Sequence, residues 1–353
     1  MLDFPYRFPA DSVEQLVPDV ASALGLAGAR MARLEAILDV RRQQLASLCS
    51  DDPTTMQLVR NSGQVIRIAF ARMALRHGHW GHDFHAYHNE HHTLDLLGSR
   101  IDRLLALHGI AALGVREWCV LGLFAACHDL RQRELRHYAN GVGANERASA
   151  DESLRLLDQC GFCRAEDADI YFGLDLAIAG STFDARPASG IGELNTAELV
   201  QSGGALATRL HVRLDAQRPG WREDTALHQA HSLALIAADL DTANVAEPFA
   251  RFTASTVDLC REREMLSGRD VHAADSAVPV MAFLTDGQLR FFFDLHRFNS
   301  PLGQATFGAA KASNGERLRQ LDQALRARLR RDGAPKNGDS MLALYEEVAA
   351  TLA

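Results

Sequence analysis

The segment that most limits how this chain can fold is residues 116–130, which read REWCVLGLFAACHDL and place apolar side chains on nearly every face of a helix. Such a helix is stable only if other elements enclose it. Helical spacing of apolar residues recurs in residues 11–50, 56–75 and 226–244. Sustained alternation of apolar and polar residues, the pattern of a half-buried strand, is missing from the sequence. We therefore predict an all-α fold in which other helices surround residues 116–130.

The balance of charges argues against some classes of partner. The chain carries 45 acidic and 37 basic residues, a net charge of −8, so no basic field attracts the phosphates of nucleic acids or of anionic membranes. No apolar run reaches the roughly 18 residues that predict a membrane span. The first residues lack the pattern of a secretory signal, and the six cysteines are scattered rather than arranged as a disulfide framework. We expect a cytoplasmic protein that binds neither nucleic acid nor membrane.

Residues 86–97 read AYHNEHHTLDLL and contain three histidines. His88 and His92 are four residues apart and would share one face of a helix, whereas His91 would point about 100° away from His92. We predict chemistry for His88 and His92 and an ordinary helix-surface position for His91. The nearby pair His82–Asp83 lies in a polar, glycine-flanked segment, GHDFH, and we predict no role for it.

Polar residues also end two apolar helices farther along the chain. His128 and Asp129 end the apolar segment 116–130, and Asp239 and Asp241 end the run HSLALIAADLD. A polar side chain held against a core needs a partner, and a divalent cation shared with His92 would supply one. Imidazole and carboxylate ligands suit zinc, iron or manganese, and carboxylate with water suits magnesium.

The residues Tyr87-His88-Asn89, followed by His92 and Asp95, resemble the YHNxxHxxD segment of class I cyclic-nucleotide phosphodiesterases, which belong to the HD-domain superfamily of metal-dependent phosphohydrolases. The resemblance spans about residues 70 to 300 and implies a phosphodiesterase-like helical bundle. The order of the metal ligands is similar as well, and their counterparts in this chain are His92, His128, Asp129 and Asp239.

The resemblance implies a mechanism with two divalent metal ions (Zn, Mg, Mn or Fe). One ion would be held by the four ligands just named, and Asp129 would bridge to a second ion that is ligated mostly by water. A metal-activated hydroxide would attack phosphorus, and His88 would protonate the leaving 3′ oxygen. Asp95 and Glu152 are candidates for orienting an imidazole, although a plain helix-surface charge is the simpler interpretation of each.

The substrate implied by the resemblance is a small-molecule nucleotide, cAMP and/or cGMP, which would be hydrolysed to the 5′-monophosphate. Tyr87 belongs to the motif at the site, and the segment GQLRFFFDL resembles the stretch with a purine-binding glutamine and a clamping phenylalanine. These positions are Gln288 and Phe291, and Val257 is a candidate for the opposite wall. Phenylalanines at helical spacing are also common in a core, so this assignment is the weaker one.

Some positions depart from the family. Gln132 stands where the family usually has another histidine, Thr242 stands near a base-contacting position, and GANERASADESLRLL is closer to the NExxSA helix of small bacterial HD phosphohydrolases. Two alternatives therefore stay open. One is an HD phosphohydrolase that acts on nucleotide monoesters or cyclic oligonucleotides, and the other is a non-catalytic nucleotide sensor.

We predict three parts for the chain. Residues 1–65 would form a helical N-terminal extension, residues 66–310 the catalytic domain, and residues 311–353 C-terminal helices that pack on it. The extension would either cover the catalytic domain or form a homodimer by helix packing, and the sequence does not choose between the two.

Overall fold

The computed structural model describes residues 6–49, 52–132, 143–183 and 206–352. Its α-helices are α1 (Ser12–Leu16), α2 (Val20–Ala27), α3 (Ala32–Ala46), α4 (Pro53–Arg76), α5 (Glu90–Asp95), α6 (Ile101–His108), α7 (Val115–Cys127), α8 (Ala144–Gln159), α9 (Ala168–Ser181), α10 (Leu210–Gln217), α11 (Thr225–Asp241), α12 (Phe249–Leu266), α13 (Ala277–Ala282), α14 (Pro301–Asp332) and α15 (Gly338–Ala350). The described residues form no β-strand, so the predicted all-α class is confirmed. No helix among them is long and apolar enough to cross a membrane.

Helix α7 is enclosed as its sequence predicts. Helices α4, α8, α9 and α11 all pack against it. Leu121, Leu123, Phe124 and Cys127 are each 0 % exposed, and burial of one such apolar side chain contributes about 1.5–3 kcal/mol. Because α7 runs through the core, its C-terminal end delivers the following residues, His128 and Asp129, to a buried position.

Buried ions attach the N-terminal segment to the rest of the fold. Arg72 of α4 is fully buried, donates to the carbonyl of Val17 at 3.0 Å and to Glu152 Oε1 at 3.1 Å, and lies 3.5 Å from Glu14 Oε2. A buried guanidinium without such partners would be strongly destabilising. These contacts therefore fix the segment after α1 against α4 and α8.

The predicted division into three parts stays a prediction. No helix of the described residues begins or ends at the predicted boundaries. Helix α4 continues through residues 65 and 66, and α14 continues through residues 310 and 311. Both predicted boundaries thus fall inside a helix.

Three π-helical turns lie near the predicted site residues. One, Leu96–Arg100, joins α5 to α6, and two others, Phe283–Gly287 and Arg290–Leu295, flank Gln288. A π turn contains an extra residue, so side-chain directions beyond it deviate from the 3.6-residue pattern that the sequence suggests.

Candidate metal centre and active site

The N-terminus of α5 places His92. Asn89 caps this helix: its Oδ1 accepts from the N–H of His91 at 2.8 Å, and its Nδ2 donates to the carbonyl of His85 at 2.7 Å. The helix begins at Glu90, so His92 lies in its first turn and is buried. His88 precedes the helix. Contrary to the prediction, His88 and His92 therefore do not share a helical face. Their rings are nevertheless 5.9 Å apart.

Four side chains from the ends of three helices converge in one group. They are His92 of α5, His128 and Asp129 after α7, and Asp241 at the end of α11. The Nε2 atom of His92 lies 3.2 Å from Asp241 Oδ1 and 3.6 Å from Asp129 Oδ2. The Nε2 atom of His128 lies 3.2 Å from Asp241 Oδ1 and 3.0 Å from Asp129 Oδ2. One nitrogen or oxygen from each residue lies within 4.8 Å of the other three, so the group could hold a metal ion.

Two details make this group suitable for a cation. The Nδ1 atom of His128 donates to the carbonyl of Phe124 at 3.1 Å, which in the neutral ring leaves the lone pair on Nε2. Asp129 Oδ2 is buried and accepts no well-directed hydrogen bond from the described residues. Ligands of a tetrahedral zinc ion, each about 2.0–2.1 Å from it, are about 3.3 Å apart. The 3.0 Å and 3.6 Å separations in the group lie on either side of that value.

The charges of the group shift the pKa values of its members. Burial alone would lower the pKa of His128, but Asp129 and Asp241 raise it to about 10. Burial would raise the pKa of Asp241, whereas His128 and His92 hold it well below its ordinary range. Glu146, in the first turn of α8, is close enough that Asp129 and Asp241 add to burial in raising its pKa to about 7. Without a metal ion, protons thus offset the excess of carboxylates.

Asp241, not Asp239, is the α11 carboxylate in this group. Two residues along a helix correspond to a rotation of about 200°, so the two aspartates lie on opposite faces of α11. Asp239 is 0 % exposed and accepts from the backbone N–H of Ser300 at 2.8 Å, the hydroxyl of Ser300 at 2.6 Å and the Nδ2 of Asn299 at 3.0 Å. The predicted ligand Asp239 therefore holds the start of α14. The sequence contains both aspartates but carries no sign of which one faces the histidines.

Glu262 of α12 positions His88. Its Oε1 lies 2.6 Å from Nδ1 of His88, and its Oε2 accepts from the backbone N–H groups of Tyr87 and His88, each at 2.9 Å. Burial alone would lower the pKa of His88, but the charges of Glu262 and Asp129 and the hydrogen bond to Glu262 raise it to about 9. With Nδ1 committed to Glu262, Nε2 is the atom that His88 can offer to a substrate. Glu262 follows His88 by 174 residues, and no local motif marks it.

The two carboxylates suggested for orienting an imidazole have other partners. Asp95 lies 2.8 Å from Arg251 and 3.7 Å from Arg33. Glu152 is 0 % exposed and belongs to the buried ion cluster of Arg72. Neither carboxylate is hydrogen-bonded to an imidazole of the described residues. Glu262 fills the role for which Asp95 and Glu152 were candidates.

The predicted substrate residues lie in different environments. The Tyr87 ring contacts the rings of His88 and His92, at centroid distances of 4.8 Å and 4.9 Å, and so borders the metal group. Gln288 is buried: its Nε2 donates to Thr256 Oγ1 at 3.0 Å, and its Oε1 accepts from the hydroxyl of Tyr345 at 2.9 Å. The side-chain amide of Gln288 is thus already bonded at both ends.

Phe291 reaches toward the end of α11. Its ring lies 5.3 Å from that of Phe183 and 5.7 Å from that of His296, whose Nε2 lies 3.0 Å from Thr242 Oγ1. This chain of contacts runs from Phe291 through His296 to Thr242, the residue that follows Asp241. Val257, the suggested opposite wall, is a core residue that is 1 % exposed.

No family model matches this chain, and a search of curated proteins finds no match. The interpretation of the site therefore depends on its own residues.

Proposed function

We propose that this protein is a metal-dependent phosphohydrolase that cleaves the 3′ phosphodiester bond of a 3′,5′-cyclic nucleotide. The observation that carries the proposal is the position of His88. The Nδ1 atom of His88 lies 2.6 Å from Oε1 of the buried carboxylate Glu262. The ring of His88 lies 5.9 Å from the ring of His92, a member of the candidate metal group. A proton donor beside a cation site is an arrangement suited to phosphate ester hydrolysis, because the cation can activate water and the donor can protonate the leaving oxygen.

The fit of His92, His128, Asp129 and Asp241 to a divalent cation supports this proposal. A divalent ion bound there would supply a hydroxide near neutral pH and neutralise charge on the phosphate. Such neutralisation has to be local, because the chain as a whole has a net charge of −8. Zinc suits the imidazole and carboxylate ligands, but the identity of the ion is part of the proposal.

His88 would act as the general acid. An imidazolium with a pKa of about 9 is protonated at neutral pH, and its Nε2–H would donate to the leaving 3′ oxygen. A bound cation would offset the influence of Asp129 on this pKa, whereas the influence of Glu262 would remain. Glu262 also fixes the backbone of Tyr87 and His88, so it sets both the charge and the direction of the ring.

The number of metal ions depends on Asp129. Its Oδ2 points into the four-residue group, while its Oδ1 accepts from Nε2 of Gln132 at 2.8 Å. A second ion bridged by Asp129 would compete with the Gln132 amide for Oδ1. Glutamine at position 132, where the resembled family usually has a histidine, therefore supports one firmly held ion. A second ion would be bound more weakly.

The environment of Gln288 favours a second candidate substrate class. A base-reading amide needs unoccupied donor and acceptor atoms, whereas this amide is 5 % exposed and already contacts Thr256 and Tyr345. A phosphohydrolase that acts on nucleotide monoesters would not need to read a base through Gln288. It would use the same metal group and the same proton donor.

A nucleotide panel assayed with Mg²⁺, Mn²⁺ and Zn²⁺ tests both candidates. Conversion of cAMP or cGMP to the 5′-monophosphate, without release of phosphate from AMP, would support the first proposal. Phosphate release from monoesters alone would support the second. Asp129→Asn and His88→Ala should each abolish most of the turnover, and His82→Ala, which removes an exposed histidine outside the group, should not. Full activity of both site variants would show that the reaction occurs elsewhere.

A further inference from the structure

A second cluster of ligand-type side chains lies at the N-terminus of α5. His79, Glu90 and His91 each offer a nitrogen or oxygen atom within 4.8 Å of the other two. Glu90 is 5 % exposed, whereas both histidines are exposed. The two imidazole rings are 4.9 Å apart and nearly perpendicular, at 76°. A buried carboxylate thus lies beneath two solvent-exposed imidazoles.

The carboxylate of Glu90 is hydrogen-bonded at only one of its oxygens. Oε1 accepts from the backbone N–H of His79 at 3.2 Å and lies 2.8 Å from its Nδ1. Oε2 is buried and has no hydrogen-bond donor among the described residues. A Cβ atom at position 78 would overlap this oxygen, so Gly78 makes room for it. A buried carboxylate without a full set of donors is costly, and a cation bound by this carboxylate would offset its charge.

Both imidazoles can present a lone pair to a cation here. Nδ1 of His79 donates to Glu90 in the metal-free protein. On metal binding the proton of that ring can reside on Nε2, where water can accept it, because 51 % of the His79 side chain is exposed. His91 is also exposed, so solvent can receive its proton in the same way. No step therefore leaves a buried donor unpaired.

In the neighbouring cluster of His77, Asp83 and His85, one imidazole cannot present its lone pair to a cation in this way. The atoms of this cluster also lie within 4.8 Å of one another, but the backbone N–H of Gln132 donates to Nε2 of His77 at 3.2 Å. The neutral His77 ring then carries its proton on Nδ1, the atom nearest Asp83. A metal at Nδ1 would bring a proton on Nε2 against the N–H of Gln132, so we assign no ion to this cluster.

We propose that His79, Glu90 and His91 form a separate binding site for a divalent transition-metal ion, with zinc as the preferred ion. Two imidazoles and one carboxylate are ligands that zinc accepts in its usual four-coordinate sites, and exposure leaves the fourth position to water. Glu90 and His91 directly precede His92. A bound ion would therefore fasten the first turn of α5, which carries His92, to the segment at His79. The site does not depend on the function proposed for the buried group.

Zinc stoichiometry of the full-length chain tests this site. The parent protein is Asp129→Asn, in which the buried group is weakened, and the added variants are His79→Ala and His91→Ala. His82→Ala is the matched control, because His82 is another exposed histidine of the same segment. After equilibrium dialysis against Zn²⁺, each of the two site variants should hold one equivalent less than the parent, and the control should match it. Crystals soaked in zinc should show an anomalous peak between the three side chains.

Two outcomes would overturn the proposal. One is an unchanged stoichiometry in either site variant, since all three ligands are required. The other is an equal loss in His82→Ala, which would indicate general binding to surface histidines. The same dialysis on the wild-type chain measures the buried group separately, so failure of one site is distinguishable from failure of the other. All substitutions except Asp129→Asn are at exposed side chains, and thermal unfolding confirms that the variants are folded.

Discussion

The substitution Glu262→Gln tests the proton-donor role of His88 most directly. Glu262 accepts at both oxygens: Oε1 faces the imidazoles of His88 and His85, and Oε2 takes the backbone N–H groups of Tyr87 and His88. Glutamine has the same shape but only one oxygen. If that oxygen serves the backbone, the NH₂ group faces Nδ1 of His88, which must then be unprotonated. The substitution therefore removes both the charge and the hydrogen bond that raise the pKa of His88.

The size of the effect follows from this pKa. In the wild type the pKa of His88 is raised from 6.5 to about 9, so about nine tenths of the imidazole is protonated at pH 8. Without the charge of Glu262, burial keeps the pKa of His88 at or below its ordinary value of 6.5, so at most about 3 % of the imidazole is protonated at pH 8 and at most about three quarters at pH 6. Because the protonated ring is the active form, lowering its pKa moves the loss of activity to lower pH. We expect kcat to fall at least about 30-fold at pH 8 and by a much smaller factor at pH 6.

The assay is kcat between pH 5.5 and 9.5 on the substrate that the nucleotide panel identifies. Glu264→Gln is the matched control: Glu264 is another fully buried glutamate of α12, but its partners are Arg263 and Arg269. The control should keep the wild-type profile. A uniform loss of kcat at all pH values in Glu262→Gln, or the same shift in Glu264→Gln, would refute the argument.

Three further substitutions test the neighbouring assignments. Asp241→Asn should abolish tight metal binding in dialysis, whereas Asp239→Asn should keep the metal and lower the free energy of unfolding by about 1–3 kcal/mol in urea, because it weakens a buried hydrogen-bond network. Tyr345→Phe removes the donor to Gln288 Oε1; if Gln288 contacts the base, KM for the nucleotide should change while kcat stays within about two-fold. Arg72→Leu removes the hydrogen bonds of Arg72 to Glu152 and to the carbonyl of Val17, while Arg76 still pairs with Glu152 and Arg155 with Glu14; it should cost about 1.5–3 kcal/mol by urea denaturation, and a cost below about 0.5 kcal/mol would contradict the role given to this cluster.

The fold could be predicted from the sequence where a helix has the same surroundings along its whole length. Residues 116–130 are apolar on nearly all faces, and α7 is enclosed accordingly, with His128 and Asp129 at its end. Helical spacing predicts side-chain directions wrongly where a helix starts or changes its pitch. Asn89 caps α5 and leaves His88 outside it, and the π turns around Gln288 alter the direction of side chains that a 3.6-residue pattern would assign.

The site could be predicted in part, because its members come from distant segments. His128 and Asp129 stand out as polar residues at the end of an apolar stretch, whereas the prediction for His92 comes from its spacing to His88, which lies outside the helix. The choice between Asp239 and Asp241 depends on how α11 is rotated against α5 and α14, which is a property of packing rather than of local sequence. Glu262 lies in REREML, an ordinary charged stretch of α12. Only the folded chain brings it to His88.

Either bound protons or a cation can offset the negative charge of the buried group, so proton binding and metal binding are linked. In the metal-free protein Asp129 and Asp241 are offset by His128, whose pKa they raise to about 10. A metal ion needs the lone pair on Nε2 of this ring, so binding must release that proton. Metal affinity should therefore rise with pH up to about the pKa of His128, and an ion bound by this group should release at least about one proton at pH 7. A calorimetric titration in buffers of different ionisation enthalpy measures this number, and release of no proton would mean that His128 is not a ligand.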